Sequence, residues 1–134
     1  MSTPIIRMNP PALPDAANAG YSQISVVEPG RLAFVSGQVA WTPEGGAVPD
    51  TLEEQAGIVF VNLGHALVAL GAQTNDIVQM RIFVTHLDDE AMAFLFPAVR
   101  AFLAGAQPSL TGIGVAALAS PELKLEIEMV VRVA

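Results

Sequence analysis

No cysteine occurs in the 134 residues, which removes disulfides, thiolate nucleophiles and thiolate metal sites together. Positive charge is also scarce: six Lys and Arg stand against 13 Asp and Glu, a formal net charge of −7. The six (Arg7, Arg31, Arg81, Arg100, Lys124 and Arg132) are scattered singly. A phosphate backbone requires clustered Lys and Arg, so no nucleic-acid partner is expected. No apolar run approaches the roughly 18–20 residues of a membrane span, and no membrane partner is expected. Met1-Ser2-Thr3-Pro4 lacks the basic start and apolar stretch of a signal peptide, so the expected location is cytoplasmic. Internal repeats and low-complexity linkers are absent, and the expectation is a single domain over residues 1–134. The only two histidines, His65 and His86, form a metal site only if folding joins them to a carboxylate; no metal and no cofactor is expected. Gly45-Gly46 and Gly112-Ile113-Gly114 lead into no helix at the spacing of a phosphate loop, and Ser36 belongs to no recognisable triad.

Apolar side chains, in contrast, are abundant. Hydrophobic residues make up 52% of the chain and charged residues 14%, which implies either an unusually rich core or apolar surface covered by other subunits; the second reading is favoured because both candidate helices are apolar on more than one face. Residues 10–20 read as an irregular loop. Tyr21 to Val27 and Arg31 to Val39 read as strands joined by a turn at Glu28-Pro29-Gly30, with Pro-Gly suited to the centre of a type II turn. Thr51 and Glu54 form a capping box that opens a helix. Leu52, Ala56, Val59, Phe60, Leu63, Leu67 and Leu70 share one sector of it, and Gly71 ends it. Ile58, Val61 and Val68 lie on its other side. Asp76 to Val84 is a strand. A second helix runs from near Leu87 to Leu103, with Asp88, Asp89 and Glu90 in its first turn and a restart expected at Pro97. Leu110 to Val115 and Leu123 to Val133 are the last strands, and a short one is expected at Ile5 to Met8. Strand pairs at the ends with two helices between them imply an α+β fold: one mixed sheet with both helices on one face. The other sheet face also carries apolar residues, so another subunit is its expected cover.

Five segments resemble the RidA/YjgF family of small-molecule deaminases, some of whose members carry an older endoribonuclease L-PSP label. They are Tyr21-Ser22-Gln23; Leu32 to Gln38, ending in Ser36-Gly37-Gln38; Glu54-Gln55 through Asn62-Leu63 to Leu70-Gly71; Asp76-Ile77-Val78 through Phe83-Val84; and Glu126-Ile127-Glu128. No one of them is specific, but they occur in the family's order and spacing across nearly the whole chain. The resemblance implies a chorismate-mutase-like subunit. It also implies a homotrimer whose sheets line a central β-barrel, with small-molecule clefts between neighbouring subunits. Members of the best-known type hydrolyse reactive enamines and imines released by pyridoxal-phosphate enzymes. Carried over by position, Tyr21 matches a cleft tyrosine and Glu126 a cleft glutamate able to hold water. Ser36 and Gly37 match a strand end whose backbone faces the ligand.

Three positions depart from the family pattern. In Gln107-Pro108-Ser109-Leu110-Thr111-Gly112, Leu110 stands where the family has the arginine that grips a substrate carboxylate, and Gly112 stands where many members have cysteine. The segment Ala93-Phe94-Leu95-Phe96-Pro97 lacks the family's asparagine and is about two residues longer. All three changes make the cleft roomier and less polar. A carboxylate there loses a charge-assisted partner worth roughly 1.5–3 kcal/mol.

Each candidate also has a plainer role. Tyr21 serves as packing on a strand, and Glu126 with Glu128 forms the wet face of an alternating strand. Arg81 serves either as a substitute anion anchor or in a salt bridge across a subunit interface, and Trp41 either walls the cleft or packs beneath a turn. Two functions remain in contention. One is a diverged RidA-like hydrolase: Tyr21, Ser36, Gly37, Thr111 and Glu126 hold water or polar groups, while Leu110, Gly112, Phe94 and Phe96 shape an apolar wall. The other is a non-catalytic metabolite-binding or interaction trimer of the same fold.

Overall fold

The computed structural model describes residues 4–134; the reading made at Met1 to Thr3 lies outside the described residues. In chain order the elements are β1 (Ile6–Met8), β2 (Ile24–Val26), β3 (Arg31–Gln38), α1 (Leu52–Leu70), β4 (Ile77–Val84), α2 (Asp89–Leu103), β5 (Ser109–Gly114) and β6 (Leu125–Val133). Short 3-10 turns occur at Ala17–Ala19 and Thr74–Asp76. β3, β6, β4 and β5 form one mixed sheet in that order: β6 is antiparallel to both β3 and β4, and β5 is parallel to β4. The parallel pair is joined through α2, because a parallel connection must cross over the sheet. Both helices lie on one sheet face, which makes the fold α+β as expected.

The core lies between that face and the helices. Val59, Leu63 and Leu67 of α1 and Leu95, Val99 and Leu103 of α2 pack on Ile127, Met129 and Val131 of β6 and Met80 and Ile82 of β4. Phe60 and Phe102 stack between the helices with ring centroids 5.3 Å apart. The opposite sheet face is open. Phe34 on β3 is 76% exposed there, and Leu32 beside it is exposed as well.

Thr51 caps α1 as expected, its hydroxyl oxygen accepting from the Glu54 amide at 3.2 Å, and Gly71 closes the helix at φ 63°. The expected capping box is only half formed: the Glu54 carboxylate accepts from the Thr51 hydroxyl at 2.9 Å instead of from the Thr51 backbone amide. Three further expectations need correction. The segment before β3 does not form a hairpin with it: β2 is only Ile24–Val26 and pairs antiparallel with β1 in a separate ribbon. Gly30 is not among the glycines at positive φ, so no type II turn forces a reversal there. The second helix starts at Asp89 instead of Leu87, because Asp88 is its N-cap and accepts from the Ala91 amide at 2.8 Å. The helix does not restart at Pro97 but runs through it. Pro97 cannot donate to the carbonyl four residues back, on Ala93, and both residues are exposed, which leaves the freed carbonyl open to solvent.

Candidate functional site: an apolar cavity and a bulge on opposite sheet faces

Strand alternation divides the expected site residues between two places. On β5, Leu110 pairs with Met80 and Gly112 with Ile82, both buried on the helix side of β4. Thr111 between them pairs with Arg81 and faces the open side. Leu110 and Gly112 line a cavity of about 140 Å³ with Phe96 and Met92 of α2, Leu87 and Val84, closed by the core side chains Ile82, Leu95 and Val99. No charged residue lines it. The pocket opens to solvent past the partly exposed Met92 and Phe96, and its apolar lining suits a hydrocarbon group of a ligand. A Cβ built on Gly112 meets nothing within 4 Å, so glycine there leaves space that a side chain would fill. Phe94 does not line this cavity. It sits about 200° round the helix from Phe96 and packs against the core.

On the other side of the sheet, Ser36 and Gly37 together oppose Glu128, because the register jumps from Val35–Met129 to Gln38–Ile127. Two residues facing one is a β-bulge, a device that re-aims a strand locally. The Glu126 side chain lies against this bulge. A Cβ on Gly37 would fall 2.5 Å from both Cδ and Oε2 of Glu126, so only glycine admits the carboxylate in this pose. Arg81 Nη2 meets Glu128 Oε2 at 3.0 Å within the same chain. It therefore stands on the open face of the sheet, turned away from the cavity at Leu110 of its own subunit.

Tyr21 is half-buried, next to Ser22, which bridges to Ser109 one residue before Leu110. Among the described residues its phenol has no hydrogen-bond partner. Trp41 is half-exposed, and its carbonyl accepts from Asn62 Nδ2 at 2.9 Å. His86 stands in the turn before α2, 3.3 Å from Asp88 Oδ2, and His65 is exposed on α1.

One polar residue escapes a reading of the sequence. Gln55 lies at 0% exposure on the apolar side of α1. Its amide donates to Pro49 O at 2.9 Å and Glu122 O at 2.8 Å, and its oxygen accepts from the Lys124 amide at 2.8 Å. It ties the entry of α1 to the entry of β6, the strand that carries Glu126.

The family model described as Endoribonuclease L-PSP matches residues 12–133. The chain belongs to the RidA/YjgF family. Among solved structures, a Rid-family protein of unknown function from Yersinia pestis, YyfB, superposes with a TM-score of 0.90 at 32% identity, covering 98% of this chain and 100% of that one. Escherichia coli TdcF with bound serine superposes at 0.67, with 29% identity over 85% of this chain and 88% of TdcF. By sequence, the mouse 2-iminobutanoate/2-iminopropanoate deaminase is 30% identical over 116 residues, 86% of this chain and 82% of its own length. The sequence match to the putative reactive intermediate deaminase TdcF of Escherichia coli is 35% over 65 residues, so there the chain spans about half the length of the relative it matches.

Proposed function

We propose that this chain is a RidA-type hydrolytic deaminase of a small imine, enamine or related reactive metabolite, working in clefts between the subunits of a homotrimer, with weak or no activity on carboxylate-bearing imines. The deaminase names of its relatives support the reaction class. The apolar cavity around Leu110 and Gly112 carries the substrate preference. The relatives' 2-imino acids bear a carboxylate; a carboxylate placed against this wall would be desolvated with no donor to receive it. An alkyl or aromatic group fits the same wall.

The assembly half of the proposal rests on the division of the site. In one subunit the Glu126–Gly37 bulge and the Leu110 cavity lie on opposite faces; in the proposed trimer a neighbouring subunit brings one group to the other. The exposed Phe34 and Leu32 give that neighbour an apolar surface to cover. In the cleft, the Glu126 carboxylate and the Ser36–Gly37 backbone hold a water. Its oxygen attacks the C=N carbon as one water proton passes by way of the Glu126 carboxylate to the nitrogen, giving a carbinolamine. The carbinolamine hydroxyl proton then passes to the nitrogen as the C–N bond breaks, releasing the carbonyl compound and ammonia. Tyr21 donates to water or to the substrate nitrogen, and Thr111 offers a further hydroxyl. Phe96 and Leu110 hold the apolar substituent, so much of the rate gain is positioning.

Coupled assays on imines generated in situ test this. Neutral or apolar imines should be hydrolysed with at least a tenfold higher kcat/KM than 2-iminopropanoate. Equal turnover of both, unchanged by Glu126→Gln, would overturn the assignment, and binding without turnover of any imine would favour the non-catalytic reading. Light scattering at micromolar concentration should give a trimer; a monomer would remove the divided site. Gly37→Ala supplies a more local check. The added methyl displaces the Glu126 carboxylate but touches only a half-exposed side chain. Its kcat should fall at least tenfold while stability changes by no more than about 1 kcal/mol.

A further inference from the structure

The largest cavity described shares no lining residue with the Leu110 wall. It measures about 490 Å³ and is bounded by Arg7, Arg132, Asn75, Asp76 and Gln107, with Pro4 and Ile5 at its rim. Arg132 follows Glu126 on β6 by six positions, about 20 Å along an extended strand.

The charges in this cavity are unbalanced. Arg132 is 8% exposed, yet among the described residues its guanidinium makes no hydrogen bond. Its one carboxylate neighbour, Asp76 Oδ1, stands 4.0 Å away, beyond hydrogen-bond reach. The other Asp76 oxygen is engaged with the Gln73 amide at 2.9 Å. Arg7 reaches across from β1 and spends its donors on neutral oxygens: Ile77 O at 2.6 Å, Val78 O at 3.3 Å and Ser25 Oγ at 2.7 Å. Burial, and then the nearby charge of Arg132, lower the Arg7 pKa, as expected for two cations confined without enough anions. Two arginines against one aspartate leave a formal surplus of one positive charge, in a chain whose net charge is −7. A guanidinium fork at a cavity wall with only one distant carboxylate beside it suits a planar or tetrahedral oxyanion.

We propose that this cavity is a second binding site, distinct from the deaminase cleft, for the phosphate or carboxylate group of a small anionic metabolite. The oxyanion binds the Arg132 fork and offsets the Arg7–Arg132 repulsion. Asn75 and Gln107 line the space beside it, and the volume accommodates an organic moiety beyond the oxyanion.

Thermal unfolding and calorimetric titration of the full chain test it, with sodium phosphate and sodium acetate compared against sodium chloride at equal ionic strength. Phosphate or acetate should raise Tm in a saturable way that chloride does not reproduce, and the stronger of the two identifies the oxyanion preferred. Arg132→Met should weaken the apparent Kd at least tenfold, whereas Lys124→Met, an exposed cation at the other end of β6, should leave it unchanged. If Arg132→Met does not fold, Arg132→Lys, which keeps the charge but loses the fork, should show the same direction of change. Tm shifts that match chloride for both salts, or that persist undiminished in the Arg132 variants, would overturn the site.

Discussion

Replacing Gln55 by Leu should lower the stability of this protein by about 3 kcal/mol, with Tm falling by about 10 °C. The change keeps size and helix propensity, so neither a cavity nor a lost turn explains the loss. What disappears is one fully buried amide that serves three backbone groups: Pro49 O, Glu122 O and the Lys124 amide. Each buried group left without a partner costs about 1–3 kcal/mol, and two of the three are carbonyls that water recovers only if the loops part. The loops in question hold buried Leu123 in place and lead into β6. Urea unfolding at fixed protein concentration is the measurement. A loss under about 1 kcal/mol would mean that the two loops find other partners.

The second large effect is a gain. Leu110→Arg should raise kcat/KM for 2-iminopropanoate by about tenfold to a hundredfold, the range that one charge-assisted pair provides. The arginine would start from a cavity wall without charged groups, beside the open space at Gly112. Its stem can cover the hydrocarbon lining while the guanidinium turns outward. The same variant should lose activity on apolar imines, because the group that filled the wall with hydrocarbon is gone. A wild-type protein that already matches the variant on 2-iminopropanoate would show that Leu110 does not set the preference.

Much of this architecture is legible in the sequence, for identifiable reasons. Thr51 and Gly71 bracket α1 because capping chemistry is local, and a local signal survives without knowledge of partners. The division of Leu110 and Gly112 from Thr111 is likewise implicit in a period of two. Pairing choice is different. Ile24–Val26 looks equally suited to β1 or β3, and Arg7 supports the outcome from 70 residues away by capping Ile77 O. Gln55 was hidden because a glutamine near a helix start reads as a wetted residue; only the return of residues 122–124 shows what it serves. Arg132 was hidden for a related reason: alternation predicts which face a strand residue takes, but not that the β1–β2 ribbon and the turn at Thr74–Asp76 close over that face. Phe94 and Phe96 look like one wall in the sequence, although helical period sends them to different surroundings.

The empty space around Gly112 has a consequence for how such a pocket changes over generations. A side chain added there displaces nothing within 4 Å, so alanine, serine or cysteine can enter with little penalty to folding. Specificity can therefore drift at this position one substitution at a time, each intermediate remaining a folded protein with a slightly different ligand.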